Sequence, residues 1–165
     1  MISVERLLKH MAWANQKVYS AAENLPDEAF GAYIVNPEWT VARILEHIVG
    51  GATWYVNRLE IEKWKEIPTP KSGADVRVLK TMLADFDAKI LSAVKHGEGK
   101  ITGKYDGKDI TRERSTIISQ AVHHATEHRA QLIDALEFKG YKVIRFIADA
   151  TWTSPKEFTC HQITR

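Results

Sequence analysis

Apolar residues recur at helical spacing in four separate stretches of this chain, and this periodicity limits its fold more than any other feature. Ser3 and Thr40 are N-cap candidates for the first two helices, and Trp39 is expected to staple against Ile44. The predicted helices are residues 3–25, 40–59, 72–96 and about 111–138, the last closed by Gly140. Four amphipathic helices in 165 residues predict an all-α protein, a four-helix bundle.

A small β-hairpin is predicted between the third and fourth helices. Residues 101–110 hold an Asp106-Gly107 step between β-branched residues, and Asp-Gly is a favoured two-residue hairpin turn. The last segment, residues 141–165, is too apolar for a free tail, so we expect it to pack on the bundle or on a second subunit. No repeat or linker divides the chain, and residues 1–165 are therefore predicted to form a single domain.

Charge and composition narrow the class of partner. The 23 basic and 21 acidic residues nearly cancel and are interspersed, which leaves no broad basic face for nucleic acid or a membrane surface. A small-molecule substrate is the expected partner. The single cysteine, Cys160, excludes an internal disulfide and fits a reducing compartment. Since the N-terminus lacks the apolar stretch of a signal peptide, we expect a cytoplasmic protein.

The fourth helix carries two histidines one helical turn apart. His124 and His128 share a face with Ile117, Ala121 and Leu132, so both rings are expected to point toward the core. Burying a polar ring without a partner costs roughly 1–3 kcal/mol. A metal ion bound by both rings would remove that cost. The alternative is a pair of core histidines that are hydrogen-bonded to protein groups.

A third imidazole is available on the second helix. His47 lies at the edge of that helix's apolar face, and three neutral imidazoles with an open position lower the pKa of bound water toward about 7. Gly51 removes bulk one turn later, and Trp54 and Arg58 continue the stripe as candidates for binding a cofactor or substrate, or as core filler. Glu127 is a candidate general base, or an exposed carboxylate paired locally.

Several other kinds of site lack their motifs. The chain has no Glu-x-x-His step, of which carboxylate-bridged di-iron bundles need two, and no His-Glu-x-x-His. It has no Gly-x-Gly-x-x-Gly, P-loop or Gly-x-Ser-x-Gly. Carboxylate-bridged di-iron chemistry, the His-Glu-x-x-His metalloprotease class, nucleotide binding and hydrolase-elbow chemistry are therefore unsupported.

Three motifs resemble those of the DinB/YfiT-like family of metal-binding four-helix-bundle proteins. They are residues 11–15 (MAWAN), 39–48 (WTVARILEHI) and 124–131 (HATEHRAQ), and the similarity spans about residues 1–140. Two features depart from the family pattern: Ala130 stands where the family often has glycine, and the C-terminal 25 residues do not follow it.

The resemblance implies a fold and a class of activity. The expected fold is a bundle of up-down-down-up topology with one divalent metal ion, and the family's ligand positions match His47, His124 and His128. The family includes thiol-dependent S-transferases that use low-molecular-weight thiols, and homodimers are common in it. We therefore expect a metal-dependent S-transferase or hydrolase of a small molecule. The alternative is a non-catalytic metal- or ligand-binding protein of a stress response. Zinc is the first choice of metal, and nickel is the second.

Overall fold

The computed structural model describes residues 3–142 and is mostly helical, with a two-stranded sheet, as the periodicity predicts. Residues 141–165 are predicted to pack on the bundle or on a second subunit, and most of this segment, from residue 143 onward, lies outside the described residues. Tyr141, at its start, packs against the core. The elements in chain order are α1 (Val4–Ala22), α2 (Val41–Arg58), α3 (Gly73–Ala93), β1 (Lys100–Tyr105), β2 (Lys108–Glu113) and α4 (Arg114–Phe138). Short 3-10 turns, Asp27–Gly31 and Val94–His96, follow α1 and α3.

Side-chain caps begin three of the four helices. The Ser3 and Thr40 hydroxyls accept hydrogen bonds from the backbone N–H three residues later, which satisfies one of the free donors at each helix start. Ser72 and Asp75 form a reciprocal capping box at the start of α3. Gly140 has a φ of 85° just beyond α4, the left-handed conformation that glycine allows. The predicted starts of α1 and α2 and the stop after α4 are confirmed.

The predicted hairpin is present and is longer than expected. Its strands pair from Lys100 with Glu113 to Tyr105 with Lys108, and Asp106 and Gly107 both have positive φ, as a type I′ turn requires. The expectation that the fourth helix starts near Thr111 is wrong. Thr111 pairs with Thr102 across the ladder, because its branched side chain suits an extended strand, and α4 begins at Arg114.

All four helices share one apolar core. The most extensive helix contacts join α2 to α4 and α1 to α3, and α2 also packs on α3 and α1 on α4. Tyr19 and Phe86 are the largest fully buried side chains, and Ile101 of the hairpin is buried against the same core. Within residues 3–142 no helix combines the length and the apolar character that crossing a membrane requires.

A buried polar network joins three of the helices. Asn15 of α1 donates to Asp87 of α3 over 2.9 Å and accepts from the guanidinium of Arg129 in α4. All three side chains are buried. Burial raises the pKa of Asp87 to about 7, while the Asn15 hydrogen bond and the Arg129 charge oppose that rise. Asn15 thus bridges the Asp87 carboxyl group and the Arg129 guanidinium in apolar surroundings.

The raised pKa of Asp87 makes stability pH-dependent. The pKa is about 7 in the folded chain and about 3.9 in the unfolded chain, so between these values the folded state binds more protons. As the pH rises through this window, we expect the free energy of unfolding of the native chain to fall relative to Asp87→Asn. The change is of the order of a few kcal/mol, since one pKa unit corresponds to about 1.4 kcal/mol. Urea unfolding at several pH values measures it.

The matched control is Asp85→Asn, the same substitution at an exposed position of the same helix. A difference between the native chain and Asp87→Asn that stays constant from pH 4 to about 7 would contradict a buried carboxyl with a raised pKa.

Candidate metal centre

The three predicted histidines come together where α2 packs against α4. The ring centroids of His47 and His124 are 4.9 Å apart, those of His47 and His128 4.5 Å, and those of His124 and His128 4.4 Å. One ring nitrogen from each residue lies within 4.8 Å of the other two. Within residues 3–142 no other three histidine, cysteine or acidic side chains come this close. The cluster joins neighbouring turns of α4 to the middle of α2.

The nitrogen positions suit a single divalent ion. Nε2 of His47 lies 3.1 Å from Nε2 of His124. Two nitrogens bound tetrahedrally to one zinc ion at about 2.0–2.1 Å lie about 3.3 Å apart. His128 is 9% exposed and the other two residues are half-buried, so the cluster lies near the surface. The donor set therefore fits a metal ion and leaves a position for a further ligand.

Burial keeps two of these rings in the form that binds metal. It lowers the pKa of His124 to about 4, with the His128 and His47 charges acting in the same direction. Burial also lowers the pKa of His47, again with His128 as the next cause. Both rings are therefore neutral at neutral pH and keep a nitrogen lone pair for coordination.

Gln131 and Trp39 orient His128, a role that sequence reasoning did not assign to them. The Trp39 indole N–H donates to Oε1 of Gln131 over 3.0 Å. Because that N–H can only donate, the atom facing it is the amide oxygen, and Nδ1 of His128, 2.9 Å from the same oxygen, must carry a proton. Nε2 of His128 is then the nitrogen with a lone pair. The one signal in the sequence is the His128 to Gln131 spacing of three.

The indole ring of Trp39 forms one wall of the cluster. Its centroid lies 5.1 Å from that of His47 and 5.6 Å from that of His128, edge-on to each. The sequence itself predicts only a stapling role for this residue before α2. Its position beside two histidines shields them from solvent on that side.

Gly51 provides the space that His124 occupies. A Cβ at residue 51 would lie 2.1 Å from Cε1 of the His124 ring and 2.8 Å or less from both ring nitrogens. Real side chains do not approach this closely. The missing side chain therefore lets α2 and α4 pack with an imidazole ring between them.

Of the other predicted site residues, Glu127 lies at the edge of the cluster, whereas Trp54 and Arg58 lie away from it. Glu127 is exposed and accepts a hydrogen bond from Gln131, and its charge is the smallest of the influences on the pKa of His47. The Arg58 guanidinium lies 4.9 Å from the Trp54 ring. Both residues line a cleft beside the hairpin that none of the three histidines borders.

The histidine cluster also lies close to the buried polar network. The lining of a cavity of about 10 Å³ includes Asn15 and Asp87 of the network as well as Tyr55 and His124. The Tyr55 ring contacts His124 edge-on, with centroids 5.7 Å apart. A space of this size is about what one water molecule needs.

Comparison with known proteins agrees with the fold and with the sequence motifs. A family model described as "DinB family" matches residues 1–157, so the similarity continues past residue 140, where sequence analysis ended it. A crystal structure of a DinB-like protein from Bacillus cereus is similar, with 17% identity and a TM-score of 0.63, and the match covers 86% of this chain and 95% of that chain. At this identity the likeness concerns the fold alone. No curated protein sequence matches the chain.

The space at Gly51 can be tested by a pair of neighbouring substitutions. Gly51→Ala places a methyl group into the His124 ring, and we expect it to lower the free energy of unfolding by about 1–3 kcal/mol. Gly50→Ala meets nothing within 4 Å, and we expect it to raise stability by up to about 1 kcal/mol through helix propensity. Urea unfolding of metal-free protein measures both changes. Equal effects of the two substitutions would contradict the close contact.

Proposed function

The chain belongs to the DinB family, and on that premise we propose that it is a divalent-metal-dependent enzyme that transfers a low-molecular-weight thiol to an electrophilic small molecule. The observation that carries this proposal is the convergence of three imidazole nitrogens from α2 and α4. His47, His124 and His128 would hold the metal, with zinc the first choice and nickel the second. A bound divalent ion would supply Lewis acidity and lower the pKa of a coordinated thiol or water.

The side chains around the cluster support this role. His47 and His124 are neutral at neutral pH because burial disfavours their protonated forms. Gln131 holds the proton of His128 on Nδ1, so Nε2 can coordinate. The Trp39 ring covers one side and excludes water there. Access for a thiol and an electrophile remains at the half-buried edges of His47 and His124.

Hydrolysis of a small molecule is the second candidate, and the position of Glu127 favours it. This carboxylate is exposed, accepts a hydrogen bond from Gln131 and acts on the pKa of His47, so it lies beside the cluster. A carboxylate there can take a proton from an attacking water. A non-catalytic metal- or ligand-binding protein of a stress response is the remaining alternative.

The proposal also includes the arrangement of the whole chain. We infer an up-down-down-up four-helix bundle, a single domain over residues 1–165, and a cytoplasmic homodimer. The helix contacts are compatible with this topology. Light scattering on the purified protein measures the oligomeric state.

Metal binding is tested by histidine substitutions with a neighbouring control. We expect the native chain to bind one zinc ion per molecule, and His47→Ala, His124→Ala and His128→Ala to weaken binding by more than about 100-fold, because each removes a ligand. His123→Ala is the control, since His123 is exposed and outside the cluster. Titration calorimetry on untagged protein measures the affinities. If the native chain retains no stoichiometric metal after loading with zinc, nickel or manganese, the proposal loses its basis.

Turnover is tested on the same proteins. A panel of low-molecular-weight thiols with a chromogenic aryl halide probes transfer, and ester and amide substrates probe hydrolysis. Thiol transfer that needs metal and is lost in His124→Ala but kept in His123→Ala supports the first candidate. Binding of one metal ion per chain without either activity supports the alternative of a non-catalytic metal-binding protein.

If Gln131 orients His128, removal of its side chain should weaken zinc binding, and a conservative substitution should restore it. Gln131→Ala removes the acceptor for Nδ1 of His128 and should weaken zinc binding by about 10- to 100-fold while the stoichiometry stays at one. Gln131→Glu keeps an oxygen for both His128 and Trp39, so its affinity should return to within a few-fold of the native value. Calorimetry measures all three proteins. Equal affinities of the Ala variant and the native chain would contradict this role.

A further inference from the structure

A cleft of about 220 Å³ lies between the end of α2, the hairpin and the start of α4. Its apolar wall consists of Trp54, Ile101, Ile110 and Ile117. Since a cavity of about 150 Å³ holds benzene, this cleft has room for a somewhat larger molecule. Arg58 lies eleven residues after His47 on α2, about 16 Å along the helix axis, so the cleft is a separate place from the histidine cluster.

The charged residues of the cleft are mostly basic. Arg58, Lys104 and Arg112 line it, against one carboxylate, Glu60. Lys104 is also ion-paired with Asp109, 3.3 Å away, so the positive charge of the cleft rests mainly on Arg58 and Arg112. An apolar wall with two arginines beside it suits a ligand that has a hydrocarbon body and an anionic end.

Arg58 is held in place before any ligand arrives. Its guanidinium lies 4.9 Å from the Trp54 ring and 5.4 Å from the Tyr105 ring, and Nη1 donates to the backbone carbonyl of Lys104 over 2.9 Å. Gly103 permits this approach, because a Cβ there would come within 3.3 Å of the guanidinium. An ordered side chain loses little conformational entropy on binding a ligand.

One donor of Arg58 has no acceptor. Its Nε is buried and has no hydrogen-bond partner among residues 3–142. A buried donor without a partner costs roughly 1–3 kcal/mol, so the described residues do not use the full hydrogen-bonding capacity of this guanidinium. A carboxylate suits a guanidinium because its two parallel oxygens match two N–H groups on one edge.

We propose that this cleft is a binding site for a small organic carboxylate. The carboxylate pairs with Arg58, with Arg112 adding positive charge, and the hydrocarbon body lies against Trp54 and the isoleucines. An organic carboxylate fits better than inorganic phosphate, because the apolar wall gives its hydrocarbon body a surface to cover. The site does not depend on the histidine cluster and stands whether or not that cluster holds a metal.

Benzoate is the probe, on protein freed of metal by passage over a chelating resin. We expect it to bind with one site per chain, and Arg58→Gln to weaken it at least tenfold. Arg77→Gln is the matched control, because Arg77 is an exposed arginine on α3 away from the cleft, and it should bind benzoate like the native chain. If Arg58→Gln does not fold, Arg112→Gln replaces it, with weakened binding again expected. Calorimetry gives the affinities.

Two ligands define the chemical class. Benzamide has the shape of benzoate without its charge, and inorganic phosphate has charge without a hydrocarbon body, so both should bind at least tenfold more weakly than benzoate. Binding of benzoate by His124→Ala at native strength separates this site from the histidine cluster. No benzoate binding by the native chain at millimolar concentration, native binding by Arg58→Gln, or phosphate binding as tight as benzoate would each overturn the proposal.

Discussion

The contact between the His124 ring and the backbone of Gly51 determines how α2 and α4 meet. A side chain at residue 51 would occupy the place of the ring. The other buried residues of these two helices are mostly aliphatic side chains and alanines, which offer ring nitrogens nothing to bond. The rings therefore face one another, with Nε2 of His47 and Nε2 of His124 3.1 Å apart. His47 and His124 bond each other there, while His128 bonds Gln131, and one cation can take the place of the contact between the ring nitrogens.

Local signals predicted much of this structure. Hydroxyl caps, the Asp106-Gly107 turn and Gly140 act on the backbone within a few residues, so their positions could be inferred from the sequence. The convergence of His47 with the α4 pair was expected from the family resemblance, whereas the apolar faces alone left open whether the two helices meet there. The predicted start of α4 is too early. Thr111 fits the helical spacing of the segment that follows, but its branched side chain also favours a strand, and in the structure it pairs with Thr102 in the hairpin.

Long-range partners were the part that sequence could not supply. Trp39 and Gln131 are 92 residues apart, and only the packing of α2 on α4 brings the indole to the amide that orients His128. Trp54 and Arg58 illustrate how far apart residues of one helical stripe can lie. They share a helical stripe with His47, but a stripe runs along the axis, and seven or eleven residues move a side chain about 10–16 Å away. Residues on one face of a helix can therefore belong to two different sites.

The buried polar network bears on the geometry of the cluster without touching it. His128 and Arg129 are consecutive on α4, so their side chains leave the helix about 100° apart. The Arg129 guanidinium is held by Asn15 of α1, which in turn binds Asp87 of α3. The rings of His124 and His128 meet His47 of α2 on the other side. Arg129 holds α4 to α1, and the His124 and His128 rings contact α2. Rotation of α4 about its axis would therefore break the buried, charge-assisted hydrogen bond of Arg129. The network of Asn15, Asp87 and Arg129 thus sets the direction in which the two α4 imidazoles point.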